Sequence, residues 1–342
     1  RSLMPDGLVD ALTRQELVDL TAFLSQLGKV GGNYTIGPQK IVRRWQVLQY
    51  SDAANRKLNR TSFDTAAGDD PDFVWTSAYG TVAGTLPLET LSDHLSDLAC
   101  VVLREVLWLA WQDVRTRHRD EAAFAIVGYG KLGGKELGYA SDLDLVFLYD
   151  DHSPEAAENY GRLARRVNHL LTSLTPAGVL YETDLRLRPD GASGLLVSPM
   201  ESFREYQARH AWPWEHQALT RARFVAGDAR IGAAFEAVRI DILRQPRDLG
   251  ALKSAVVGMG VKMLDAHPNT SGLFDLKHDR GGIIDVEFIV QYLVLGHAHA
   301  QSALTDNIGN LALLKLAARL GLVPEHEGLA AHDAYRRFRQ VH

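Results

Sequence analysis

The segment Asp142-Leu-Asp-Leu-Val-Phe-Leu-Tyr149 alternates strictly. Asp142 and Asp144 face one way, and Leu143, Leu145, Phe147 and Tyr149 face the other. Aspartate is poor in strands, so a strand carrying two on one face needs a reason. Same-face neighbours on a strand lie about 6.5–7 Å apart. Two carboxylates at that spacing can bridge a pair of divalent ions roughly 3.5–4 Å apart, and without a cation they repel. The other reading is a solvent-facing strand edge, and the neighbouring sequence decides between them.

What precedes the strand narrows the topology. Phe124–Val127 reads as a short buried strand and Gly128-Tyr-Gly-Lys-Leu-Gly-Gly134 as a glycine-rich turn, with a short helical segment around Lys135–Leu137. Gly128-x-Gly130-x-x-Gly133 after a strand fits a dinucleotide-binding fingerprint, and Asp150 falls about where its ribose-binding acid belongs. Length excludes that fold: a parallel crossover needs a helix of about ten residues or more, and only seven residues separate Gly134 from Asp142. The glycines of the turn, Gly133 and Gly134 among them, instead allow close approach to a phosphate, beside a helix start that favours anions. A plain strand-to-helix turn is the other reading.

Val179–Arg188 reads as a second alternating strand, with Glu182, Asp184, Arg186 and Arg188 on one face and Tyr181, Leu185 and Leu187 on the other. Asp184 is then a third carboxylate beside Asp142 and Asp144. Three hard oxygen donors from two strands suit Mg²⁺ or Mn²⁺. Arg186 and Arg188 offer charge-assisted hydrogen bonds to a triphosphate or departing pyrophosphate, although alternating arginines also suit a solvated face. A short strand at Leu195–Val197 follows, and Ser198-Pro-Met-Glu201 reads as a capping box.

Around this core the patterns are helical. Leu88, Leu91, Leu95, Leu98, Val102, Val106 and Leu109 form one apolar stripe after Pro87. A helix after Ser153-Pro154 carries Tyr160, Leu163, Val167, Leu170 and Leu174, and from about Asp228 every pattern is helical. Residues 1 to about 84 hold short helical stretches and a Gly/Asn/Asp-rich run, Asn59–Asp72, with no recognisable chemistry. The expected organisation is an N-terminal helical region (1–118), an α+β domain with a small mixed sheet of about four or five strands (119–235) and a C-terminal helical bundle (236–342), cut short at His342.

A net charge of −5 argues against a general nucleic-acid binder. One cysteine, Cys100, excludes a disulfide within the chain and a multi-cysteine zinc site, and reads as a buried core residue. No apolar run reaches the length of a membrane span, no signal peptide is visible, and the first residue is Arg1. The expectation is a piece of a longer cytoplasmic protein. Among weaker candidates, Glu215, His216, Arg221 and Arg223 either line the site or form a salt-bridged helix face. Trp212 and Trp214 read as core or domain-packing residues. Asp285 and Glu287 suit a helix N-terminus, and His297 and His299 read as surface residues.

A Gly-Gly pair, a short helix, Asp-x-Asp on a strand and a later strand aspartate together resemble the DNA-polymerase-β-like nucleotidyltransferase superfamily. The run Gly128-Tyr-Gly-Lys-Leu-Gly-Gly-Lys-Glu-Leu-Gly-Tyr-Ala-Ser-Asp-Leu-Asp-Leu145 more specifically resembles the glutamine synthetase adenylyltransferases. Three stretches agree: Tyr181-Glu-Thr-Asp-Leu-Arg-Leu-Arg-Pro189 with Gly191 and Gly194; Trp214–Arg223; and Asp275-Leu-Lys277 with Gly281–Phe288. The likeness runs from about residue 83 to the end, and His278-Asp279-Arg280 departs from it. That family carries two nucleotidyltransferase halves, one attaching AMP and one removing it by phosphorolysis. A single Asp-x-Asp unit implies one half, and Ala211-Trp-Pro-Trp-Glu-His-Gln-Ala-Leu219 resembles the attaching one.

The resemblance implies a polymerase-β-like fold and transfer of AMP from ATP to a tyrosine hydroxyl of glutamine synthetase, with Mg²⁺ or Mn²⁺. It implies Asp142, Asp144 and Asp184 as catalytic metal ligands, with Asp184 also as base. Gly133, Gly134, Ser141, Arg186 and Arg188 would bind the nucleotide phosphates. Glutamine synthetase is the implied partner, with the PII signalling protein and glutamine as effectors and neither nucleic acid nor membrane. The alternatives are the AMP-removing half on the same scaffold, or a non-catalytic domain that binds a nucleotide or effector.

Overall fold

The sheet is built outward from the strand that the alternation marks. In the computed structural model, which describes residues 87–175 and 178–341, strand β1 (Phe124–Gly128) is buried along its whole length. It turns back through the glycine segment onto β2 (Leu143–Tyr149), so the two run antiparallel with Phe124 opposite Tyr149 and Gly128 opposite Leu145. This is a hairpin-like return in place of a parallel crossover, as the seven-residue spacing requires. Strand β3 (Thr183–Asp184) lies parallel to the start of β2, placing Asp184 opposite Asp144. Strand β4 (Val197–Pro199) pairs in parallel with the far end of β2. Strand β5 (Arg223–Gly227) closes the other side, antiparallel to β1, with a register irregularity between Ile126 and Val127. The result is a five-stranded mixed sheet in an α+β protein.

Helix α1 (Leu88–Asp113) covers this sheet, but its buried face is rotated from the leucine stripe. Ser92, Ser96, Ala99, Leu103, Leu107 and Ala110 are buried, whereas Leu109 is exposed. Small residues let the helix approach its neighbours closely, a gain that a hydrophobicity pattern does not register. Helix α2 (Gly130–Gly133) is one turn inside the glycine segment itself, earlier than the expected Lys135–Leu137. Helix α3 (Ala156–Thr172) buries Tyr160, Leu163 and Val167 as expected, while Leu174 lies beyond its end and is exposed.

The expected strand Val179–Arg188 shrinks to two residues. Arg186 N–H donates to Asp184 Oδ1 at 2.8 Å, which bends the chain out of the sheet directly after Asp184. The chain then passes through the turn at Asp190 and Gly191, both in the left-handed region. Helix α4 (Met200–Arg209) starts at Pro199 without a side-chain cap, because Ser198 is committed to β4. The capping interaction appears one helix later, in α5 (Pro213–Leu219), where Trp212 N–H donates to Glu215 Oε2 at 2.8 Å.

After β5 the described chain is helical: α6 (Ala229–Leu243), α7 (Leu249–Ala266), α8 (Ile283–His297), α9 (Asn310–Arg319) and α10 (Glu325–Val341), with a 3₁₀ turn at Ser302–Thr305. Asp228 and Asp248 cap α6 and α7 by accepting from Arg230 N–H and Ala251 N–H. Internal contacts divide the chain into Arg1–Thr76 and Ser77–His342, and the structure described belongs to the second unit. The helical stretches and the Asn59–Asp72 run expected before residue 84 lie outside the described residues. Among the described residues no helix is long and apolar enough to cross a membrane.

Candidate active site

A cleft of about 930 Å³ opens where β2, β3, the glycine segment, α8 and α10 meet, and Asp142, Asp144 and Asp184 all line it. Asp142 stands just before β2, exposed, and Asp144 is the second residue of the strand, half-buried. The glycine segment is tied to the strand by Tyr129 N–H, which donates to the Asp144 carbonyl at 2.9 Å. Gly130 then packs against the Asp144 side chain. It has a φ of 55°, and a Cβ there would stand 2.1 Å from Asp144 Oδ2, so only glycine fits.

Burial, then the charges of Asp142 and Asp184, raise the Asp144 carboxyl from its ordinary value to about 6. Asp184 goes the other way. The Arg186 guanidinium hydrogen-bonds to both its oxygens, at 3.0, 2.9 and 2.5 Å, and holds it below the usual carboxylate range. Among the described residues, no three carboxylate, imidazole or thiol side chains converge into a preformed metal cage. The three aspartates share the cleft, and Asp184 is turned onto Arg186.

The expected phosphate ligands divide. Ser141 and Arg186 line the cleft. Gly133 and Gly134 do not; they serve packing between protein segments. A Cβ on Gly133 would lie 2.0 Å from the Arg221 carbonyl, and one on Gly134 would lie 3.0 Å from Arg221 Nε. Arg188 is also placed elsewhere. It donates to the carbonyls of Leu185, Ala192 and Gly194 at 2.5, 3.1 and 3.3 Å, fastening the turn that follows β3.

Beneath the aspartates lies a buried charge cluster that local sequence patterns do not show. Arg221 donates to Glu136 at 2.7 Å and to Glu287 at 2.6 Å, with the Arg221 and Glu136 side chains 7% and 4% exposed. Burial opposes the Arg221 charge, but the two carboxylates more than offset it and hold the guanidinium above its usual pKa. The Tyr335 hydroxyl lies 3.0 Å from Glu136 and 3.1 Å from Glu287, and Asn310 Nδ2 donates to that hydroxyl at 2.9 Å. Burial and the two carboxylates push the Tyr335 hydroxyl well up, so it remains a neutral donor. The cluster ties the glycine segment to α5, α8, α9 and α10, and Arg221, Glu136, Glu287 and Tyr335 all border the cleft.

Other expectations resolve simply. Glu287, read as a helix-start acid, is an ion-pair partner, whereas Asp285 accepts from Gly281 N–H at 2.7 Å. Glu215 and His216 are buried away from the cleft; Glu215 accepts from Tyr206 and His216 bonds to the Gln207 carbonyl. Arg223 donates to the Leu132 carbonyl and to Cys100 Sγ, and Cys100 is only partly buried. Trp212 and Trp214 are exposed, not core. His297 is half-buried and His299 exposed. Lys131 and Lys277, which carried no assignment from sequence, both line the cleft.

Clustered carboxylates and cations around one open cleft, beside a small mixed sheet, are suited to an anionic ligand accompanied by a cation. Residues 74–238 match the family model described as glutamate-ammonia ligase adenylyltransferase, so this part of the chain carries a domain of that family. A protein from Aromatoleum aromaticum is 60% identical over 260 residues, which cover 76% of this chain and 28% of the relative. Relatives from Nitrosomonas europaea and Nitrosomonas eutropha are 63% and 62% identical over 258 residues, or 75% of this chain and 28% of each relative. All three are named bifunctional glutamine synthetase adenylyltransferase/adenylyl-removing enzyme. The chain thus spans 28% of the length of these curated relatives.

Proposed function

We propose that this chain transfers AMP from ATP to a tyrosine hydroxyl of glutamine synthetase, releasing pyrophosphate, on a polymerase-β-like scaffold. The observation that carries this reading is the meeting of Asp142, Asp144 and Asp184 in one cleft, with Asp144 raised to about 6 by burial and by the other two carboxylates. Such a cluster favours positive charge beside it. The scaffold is supported by the order strand, glycine turn, short helix and Asp-bearing strand, with the third aspartate beside Asp144 on a parallel strand.

The donor set consists of carboxylate oxygens alone and fits Mg²⁺ or Mn²⁺. Asp142 and Asp144 would hold the ion, and Asp184 would join them by giving up part of its pairing with Arg186. When bound, such an ion supplies charge stabilisation at the reacting phosphate. The rest falls to the protein. Arg186 keeps Asp184 ionised, which suits a ligand better than a proton acceptor. The Arg221 cluster holds the glycine segment rigid under the nucleotide, the positioning on which this chemistry depends.

The direction rests on the likeness of Ala211–Leu219 to the attaching half of the family. Glutamine synthetase as substrate, and glutamine and a PII protein as effectors, come from the same likeness. Transfer assays on Asp142→Asn and Asp184→Asn test the reading. Each is expected to keep ATP binding and to lose transfer by about 10²-fold or more. Parental transfer rates in both variants would refute the carboxylate site.

A further inference from the structure

Among the described residues two lysines that line the cleft make no ion pair and no side-chain hydrogen bond. Lys131 is half-buried on α2. Its backbone is fixed because Glu136 N–H donates to its carbonyl at 2.7 Å, and it is flanked by Gly130 against Asp144 and by the fully buried Leu132. Lys277 lies in the loop before α8. There Asp275 accepts from Lys277 N–H at 2.8 Å and from His278 N–H at 3.2 Å, and Ile284 N–H donates to the Lys277 carbonyl at 3.2 Å. Both backbones are anchored and both side chains border the cleft. Among the described residues neither ammonium has a carboxylate or carbonyl acceptor; the one lysine ion pair there joins Lys135 to Asp97. Burial first, and then the charge of Lys277, lower the pKa of Lys131, only partly countered by the charges of Glu287 and Asp142.

We infer that Lys131 and Lys277 together form the cradle for the β- and γ-phosphates of a nucleoside triphosphate, the portion of the substrate that leaves as pyrophosphate. Of the arginines expected in this role, Arg188 is engaged on three backbone carbonyls and Arg186 is shared with Asp184. Two like charges bordering one cleft are stabilised by a polyanion placed between them. Lysine serves as a compact point charge for phosphate. The aspartates of the same cleft repel a bare anion, so the fitting ligand is a polyphosphate accompanied by a divalent cation. This rests on the nucleotidyl-transfer reading and identifies which part of the substrate each wall holds.

The test titrates the full chain with ATP and with AMP, in the presence of Mg²⁺, for the parent, Lys131→Gln, Lys277→Gln and the surface control Lys135→Gln. Each cleft variant is expected to lose about tenfold or more in ATP affinity, the effect of one charge-assisted contact. AMP affinity stays near the parental value and certifies the fold. Lys135→Gln behaves as the parent. Parental ATP affinity in both cleft variants, or equal losses for ATP and AMP, overturns the cradle alone. A parent that binds neither nucleotide overturns the nucleotidyl-transfer reading and the cradle with it.

Discussion

Replacing Asp144 by asparagine removes a charge from a place where charge is costly, and the structure sets the scale. Its carboxyl is raised from the ordinary 3.8 to about 6, by burial first and by Asp142 and Asp184 next. A shift of about two units corresponds to about 3 kcal/mol between the ionised and neutral forms. The folded-state pKa lies above the unfolded one, so the favourable contribution is fully present below about pH 4, where the group is protonated in both states. It is lost as pH rises through about 6, and the parent then carries the full penalty.

Among the described residues the Asp144 carboxylate accepts no hydrogen bond, and only its backbone carbonyl is engaged, by Tyr129 N–H. D144N therefore forfeits little. With a chelator present, D144N is expected to be more stable than the parent by about 1–3 kcal/mol above pH 7, the gap closing toward pH 4. Urea unfolding across that pH range measures it. Added Mg²⁺ is expected to stabilise the parent and to leave D144N nearly unchanged, because a ligand has been removed. A D144N protein less stable than the parent above pH 7, or a gap that does not change with pH, would refute the reasoning.

Arg221→Leu leaves Glu136 and Glu287 facing one another without their shared cation and is expected to cost about 3–5 kcal/mol in thermal or urea unfolding. A loss under 1 kcal/mol, about the worth of an exposed pair, would show that the cluster is not a buried one. Arg188→Ala is expected to loosen the turn after β3 and cost about 1 kcal/mol, with ATP affinity unchanged in a nucleotide titration; a large loss of ATP affinity would return Arg188 to the phosphates.

The parts legible in the sequence were those written in local periodicity. The segment Asp142–Tyr149 marked β2, which starts at Leu143 and is buried on both faces beyond Asp144 where strict alternation was expected. The seven-residue gap after Gly134 excluded a parallel crossover, in keeping with the antiparallel pairing. The motif around Asp184 pointed to the strand beside β2, although only Thr183–Asp184 pairs, because Asp184 accepts the Arg186 N–H and ends the ladder. Strand β5 went unread: Arg223–Gly227 is short, and its half-buried and buried residues do not alternate. The Glu136–Arg221–Glu287–Tyr335 cluster was beyond any local pattern. Its members come from four separate segments, two connecting stretches and two helices, and Glu136 and Tyr335 are separated by 199 positions. The glycines show the same limit. Composition announces a close approach, but only the fold shows that Gly130 meets Asp144 while Gly133 meets the Arg221 backbone.

The most direct measurement is to incubate the chain with Mg²⁺, glutamine synthetase and ATP labelled on the α-phosphate, in the absence of inorganic phosphate, and to map the label. The account predicts AMP on a tyrosine of the synthetase, pyrophosphate as co-product, and no transfer by D142N. No label on the synthetase, together with phosphate-dependent release of ADP from the adenylylated synthetase, would contradict it and assign the chain the removing reaction.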